Sequence, residues 1–246
     1  MKKTIALSAI GAMALAGNAY SQDSSISTDF AVSYHTDYIF RGLNFGENLF
    51  TYGLDFGGSC DCGLDWSAGV WYGNFDNPAG DEELDIYGAI SKDFGSFSAE
   101  LGFIQFIFPD ADNGDNTEVY LTLATEVSGV ELHASAYWNV LTDDNSVLDE
   151  GDFYYEVGAS YGFDLTDKLS ASAGVTVGFA DADLADTSGF AHVTLNLGLS
   201  YAVSDNISID PYIGYSNADS DYNDAFLGAG TDEDTFYGGV SVGYSF

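Results

Sequence analysis

The sequence is almost without positive charge, has two cysteines and three prolines, and lacks a long apolar run after its first residues. Five bases stand against 39 acids, for a formal net charge of −34. Phosphate would be repelled at every approach, so nucleic acid is excluded as a partner. Cations, divalent bridges and saline surroundings suit such a chain instead. Acidic chains fail to fold when aromatics are scarce. Here aromatics make up 15% and hydrophobics 46% of the residues, so a folded unit is expected. The missing apolar run excludes a transmembrane helix, which needs about 20 apolar residues in succession. A chain without such a helix can still cross a membrane as a closed barrel, the other way to satisfy backbone polar groups in lipid.

The cysteines, Cys60 and Cys62, stand one residue apart in GSCDCG. An oxidising compartment lets them pair, although the chain must fold back at once to bring the sulfurs together. A metal needs more ligands than this turn offers. We read the pair as a turn feature without a catalytic role, bridged or unbridged.

What is present begins with MKKTIALSAIGAMALAGNAYSQ. Two lysines precede an apolar run from Ile5 to Ala16, and small residues follow, which is the pattern of a secretory signal peptide. Cleavage is expected after Ser21, with Ala19 as the second choice. That assigns residues 1–21 to the signal and 22–246 to one domain. Losing Lys2 and Lys3 takes the net charge from −34 to −36.

Beyond the signal, apolar and polar residues alternate from end to end, the mark of strands with two unlike faces. Twelve such segments can be traced. The first carries Phe30, Val32, Tyr34, Tyr38 and Phe40 on its apolar face, and the last carries Val240, Val242, Tyr244 and Phe246. The fifth is the hardest to phase, because FIQFIFP is apolar on both faces. Tight links (GSCDCG, DFGS, VSGV, DLTDK, VSDN) alternate with longer ones such as TDDNSVLDEGD and NADSDYNDAFLGAGTDED, which are acidic and carry no base. The first link, RGLNFGEN, is the short exception. Strands of about 10 residues with short turns on one side and long loops on the other describe an outer-membrane barrel. The predicted fold is therefore an all-β, antiparallel up-and-down transmembrane barrel of about 12 strands, located in the cell outer membrane. Two aromatic girdles are expected at the membrane interfaces: Phe56, Phe97, Phe163, Tyr244 and Phe246 on the turn side, and Phe40, Tyr72, Trp138, Phe153, Phe179 and Phe236 on the loop side.

Parity sends the polar set into the lumen. The acids expected there are Asp29, Asp37, Asp55, Asp65, Asp85, Glu100, Glu126, Glu131, Glu156 and Asp210. Arg41 is the single inward base, while Lys92 and Lys168 reach water at the periplasmic rim. Rings of carboxylates admit cations and resist anions. The alternative is that the acids bind Arg41, tyrosines and each other to fill a narrow barrel. Many inward glycines and serines favour an open lumen, with Arg41 at a constriction or in a salt bridge. These features predict passive diffusion of small solutes through a cation-preferring channel. A barrel acting structurally or as an adhesin through its loops is a second reading. A lipid hydrolase built on His133 and Ser135 is a third, but parity turns both residues away from lipid. No cofactor is expected. In DADNGDNTE the acids Asp110, Asp112, Asp115 and Glu118 suggest calcium, but Gly114 falls at the fifth position of the loop rather than the sixth. Loosely held divalent cations bridging the acidic loops to lipopolysaccharide fit better, with outer-membrane lipids as the other neighbours. Oligomeric state is left open.

Two resemblances follow from particular residues. The terminal strand VSVGYSF resembles the C-terminal signature of bacterial outer-membrane proteins, which implies that Tyr244 and Phe246 are read by the barrel-assembly machinery. VSYHTDYIFRGLN, residues 32–44, resembles the N-terminal strand of the TorF-type porin family, through Asp37, Tyr38, Phe40, Arg41 and Gly42. Members often continue with Ser-Gln where this chain has Leu43 and Asn44. The resemblance implies a porin barrel and names no substrate.

Overall fold

The computed structural model describes residues 26–77, 80–109, 114–142, 149–182 and 187–246. The expected signal peptide lies outside them, as do Asp110 and Asp112. Among the described residues there are twelve strands and one helix. They are β1 (Ser27–Phe40), β2 (Leu43–Ser59), β3 (Asp65–Asp76), β4 (Glu82–Asp93), β5 (Ser98–Ile107), β6 (Asn116–Val127), β7 (Val130–Thr142), β8 (Phe153–Thr166), β9 (Leu169–Ala182), β10 (Thr187–Ala202), β11 (Ile207–Ala218), α1 (Ser220–Leu227) and β12 (Asp234–Ser245). Each strand pairs with its neighbour in the chain, and β1 pairs antiparallel with β12 from Asp29↔Ser245 to His35↔Gly239. The barrel is closed, so no strand is left as a free edge strand.

The alternation fixes which face meets what. Leu101, Leu121, Leu123, Leu195, Leu197 and Leu199 are all exposed on the outer wall, as are Val240, Val242 and Tyr244 of β12. In water such a belt would be a large sticky surface; against hydrocarbon it is the surface required. Trp138, Phe153 and Tyr155 form a run of stacked rings on the loop side of this belt. Lys92 and Lys168 are exposed at the turn side, as parity required. Cys60 and Cys62 are joined in a disulfide within the exposed β2–β3 turn.

One phase differs from the expectation. The β1–β2 register shifts between Asp37 and Ile39, and a bulge of this kind turns the residues after it to the other face. Tyr38 is buried and Phe40 packs on rings inside the barrel. Neither lies on the lipid face, and Phe40 is not part of the loop-side girdle. The expectation of an open lumen also needs correcting on its own argument. Several inward glycines do not leave space, because neighbouring rings lie over them: Tyr87 over Gly69, Tyr120 over Gly102, His192 over Gly178 and Tyr237 over Gly214.

Candidate functional site

The two walls beside the β1–β2 hairpin let go of it partway up. The β1–β12 ladder reaches only His35↔Gly239, whereas β1 and β2 stay paired to Phe40↔Leu43. On the other side the β2–β3 register breaks between Glu47 and Phe50. The free length of hairpin, about residues 38–46, folds into the loop-side half of the lumen. Its tip is a two-residue turn with Arg41 at φ 49° and Gly42 at φ 86°. Positive φ at both central residues is the hairpin turn that matches strand twist. It suits glycine but costs an ordinary residue about 1–2 kcal/mol, so Arg41 is held there by what its side chain touches. At Gly42 a Cβ would collide with the His192 ring.

The Arg41 guanidinium donates to both carboxylate oxygens of Glu118, at 2.7 and 2.5 Å. It also lies over the rings of Tyr154 at 4.3 Å, Tyr137 at 4.7 Å and its neighbour Phe40 at 4.8 Å. Burial opposes its charge, and the Glu118 carboxylate more than compensates, holding the guanidinium above its ordinary pKa. Charge-assisted bidentate pairing and cation–π contact are both strong when desolvated. Tyr137 and Tyr154 in turn donate to Glu156, at 3.5 and 3.2 Å. Tyr38, on the hairpin, donates to Glu83 at 2.7 Å.

The backbone of the tip is tied as well. Ser216 donates to the Gly42 carbonyl at 3.0 Å, and Tyr222 of α1 donates to the Arg41 carbonyl at 3.3 Å. A chain of polar contacts runs from Tyr154 through His192 and Thr194 to Ser216. Leu43 packs with Ala180, Ala191, Ala218 and Tyr222. Asp219 caps the N-terminus of α1, accepting from the Asp221 and Tyr222 amides. Burial pushes the Tyr222 phenol above its ordinary pKa, so it stays a donor. The hairpin thus sits on the wall, and α1 sits on the hairpin.

The residues expected in the lumen divide into two groups. Asp85 and Glu156 are buried at the loop side near Arg41, along with Glu83 and Glu118. Sequence reasoning missed the last two, although each adjoins an outward residue, Leu84 or Val119, and so has inward parity. Glu118 belongs to β6 and pairs with Arg41, not to a calcium loop; Asp115 accepts from the Phe108 amide. Asp29, Asp55, Glu100, Glu131 and Asp210 are only half-buried toward the turn side. Tyr87 donates to Asp55, Tyr120 to Glu100, Ser208 to Asp210 and Ser245 to Asp29. Glu126 is exposed opposite Glu131, and Asp65 accepts from Ser59 near the turn-side rim. Asp37 sits at the base of the hairpin, bonded by Thr36 and Asn44.

His133 and Ser135 share an inward face, but the serine hydroxyl pairs with Thr122 at 2.8 Å. His133 Nε2 has no hydrogen-bond partner and lies 3.9 Å from Glu156. No group of three or more metal-binding side chains comes together among the described residues.

Residues 19–242 match the model of a family described as "Bacterial protein of unknown function (Gcw_chp)". No protein of curated function matches the sequence. Solved barrels are similar in fold. An outer-membrane channel from Pseudomonas putida F1 superposes with a TM-score of 0.56 at 10% identity, over 94% of this chain and 100% of the other. The NanC porin gives 0.53 at 14% identity, over 89% and 98% of the two chains. The KdgM porin gives 0.50 at 14% identity, over 89% and 99%. With its closed wall and apolar belt, this chain has the fold of an outer-membrane β-barrel.

Proposed function

The chain belongs to the Gcw_chp family of bacterial proteins of unknown function, and we propose that it is a gated outer-membrane channel for passive diffusion of small, preferentially cationic solutes. The observation that carries this reading is the unequal charge of the accessible lumen. Its turn-side half is lined by Asp29, Asp55, Glu100, Glu131 and Asp210, all half-buried. Among the described residues the inward base Arg41 is already paired with Glu118. Acid-lined pores concentrate cations and slow anions. The β1–β2 hairpin closes the loop side, so conduction requires it to leave. The resemblance of residues 32–44 to TorF-type porins points the same way. Tyr244 and Phe246, exposed at the turn-side end of β12, are the proposed handle for barrel assembly, and the acidic loops the proposed ground for divalent bridges to lipopolysaccharide.

The test is conductance of the refolded barrel in a planar bilayer under a salt gradient. Wild type is expected to open rarely. A variant with residues 38–46 replaced by a short Gly-Ser link is expected to give discrete steps with a cation-favouring reversal potential. If the deleted variant is folded and silent, transport falls and a structural barrel acting through its loops takes its place.

A further inference from the structure

Resting on the channel reading, we infer that the pocket holding Arg41 is a recognition site for guanidinium and small organic ammonium ions, occupied in the closed barrel by the protein's own side chain. The wall supplies everything that such a cation needs without the hairpin. Glu118 presents two oxygens to one planar fork, and Tyr137 and Tyr154 present ring faces within 4.7 Å of the cation. Carboxylate plus aromatic faces is the chemistry that selects soft organic cations over strongly hydrated metal ions. Both tyrosine hydroxyls are turned to Glu156, which fixes the rings.

A second observation places a buried carboxyl with an unpartnered oxygen on the same wall. Asp85 is 3% exposed, and its Oδ1 has no hydrogen-bond partner. Its carboxyl shares a hydrogen bond with Glu83, and Glu118 lies nearby on the same wall. Arg41 therefore supplies one positive charge to a wall that carries Glu83, Asp85, Glu118 and Glu156. A solute bearing a guanidinium or ammonium group competes with Arg41 for Glu118 and the tyrosines. Winning that competition frees the hairpin tip. The arriving solute thereby opens its own path, and Arg41 acts as a tethered stand-in for it.

The tether sets the terms of the competition. An internal ligand acts at an effective concentration in roughly the millimolar range. Methylguanidinium should accordingly bind Arg41→Ala at least tenfold more tightly than wild type. The first measurement is block of the cation current through Arg41→Ala by methylguanidinium. Saturable block is expected, with a half-blocking concentration at least tenfold higher in the Arg41→Ala, Glu118→Gln double variant. Absent block, or block indifferent to Glu118, overturns the inference and leaves the channel standing. Should Arg41→Ala be silent, its melting temperature is read instead. A rise with methylguanidinium that the double variant lacks keeps the inference while the channel falls, and no rise overturns it. Wild type gives an answer that needs no variant. Methylguanidinium should accelerate tryptic cleavage after Arg41 in the folded barrel, and failure to do so at saturating concentration overturns the inference.

Discussion

The two halves of the lumen are built from the same strands and the same parity, yet one is dry and the other wet. On β7, Glu131 and His133 are half-buried, while Ser135, Tyr137 and Asn139 further along are buried. On β10, Ser200, Gly198 and Asn196 are half-buried, while Thr194 and His192 are buried. The wall does not change character between the two halves. What changes is the occupant: the hairpin stands in the loop-side half. Dryness at Tyr137 and His192 therefore follows from the hairpin's docking, whereas Asn139 is bonded by the Asp149–Asp152 link. The same carboxylate chemistry that lines a solvated vestibule at Asp210 forms a buried ion pair at Glu118.

The dry half is most vulnerable at that pair. Removing one partner of a buried ion pair leaves an uncompensated charge, at a cost of about 3–5 kcal/mol. Glu118→Ala should therefore undock the hairpin, make the folded barrel conduct steadily and open the Arg41–Gly42 bond to trypsin; continued protease resistance would assign the docking to the apolar contacts of Leu43 instead. A smaller effect is expected at the tip. Gly42→Ala forces a side chain onto His192 at positive φ, at a cost of about 1–3 kcal/mol. Its signature is an intermediate open probability without loss of cation preference. The smallest effect on docking is expected from the wet half. Asp55→Asn, Glu100→Gln and Asp210→Asn in the hairpin-deleted background should move the reversal potential toward zero together. In the intact chain they should leave Arg41 as resistant to trypsin as in wild type. If they release the hairpin, the two halves are coupled and the division drawn between them is wrong.

The wall was legible because alternation is a direct consequence of pleating: residues two apart share a face, and each of the twelve apolar segments became a strand. The contents of the lumen were not. Parity holds only while a strand keeps its register, so alternation carried across the bulge, which no local residue announces, puts Tyr38 and Phe40 on the lipid face. Glu118 was absorbed into an acidic loop because its neighbours Asp110, Asp112 and Asp115 made it look like one more loop carboxylate. Inward glycines such as Gly178 suggest space because a sequence shows a missing side chain but not the ring that leans over it from the next strand. Arg41 stood out for a reason that needs no geometry: a lone base facing many inward acids has to meet one of them.

The hairpin's place in the chain has a consequence for how the molecule is made. Its strands β1 and β2 are adjacent in sequence, so the plug is joined by a short loop, whereas the seam that shuts the barrel joins Asp29 to Ser245 across nearly the whole chain. Local contacts form before distant ones, because closing a long loop costs more entropy. The stopper therefore exists before there is a bottle to put it in, and the wall is wrapped around it strand by strand. Nothing has to be threaded through a finished ring. The tip's partners Glu118, Tyr154 and Ser216 lie on β6, β8 and β11, so the hairpin is seated only as those strands close around it.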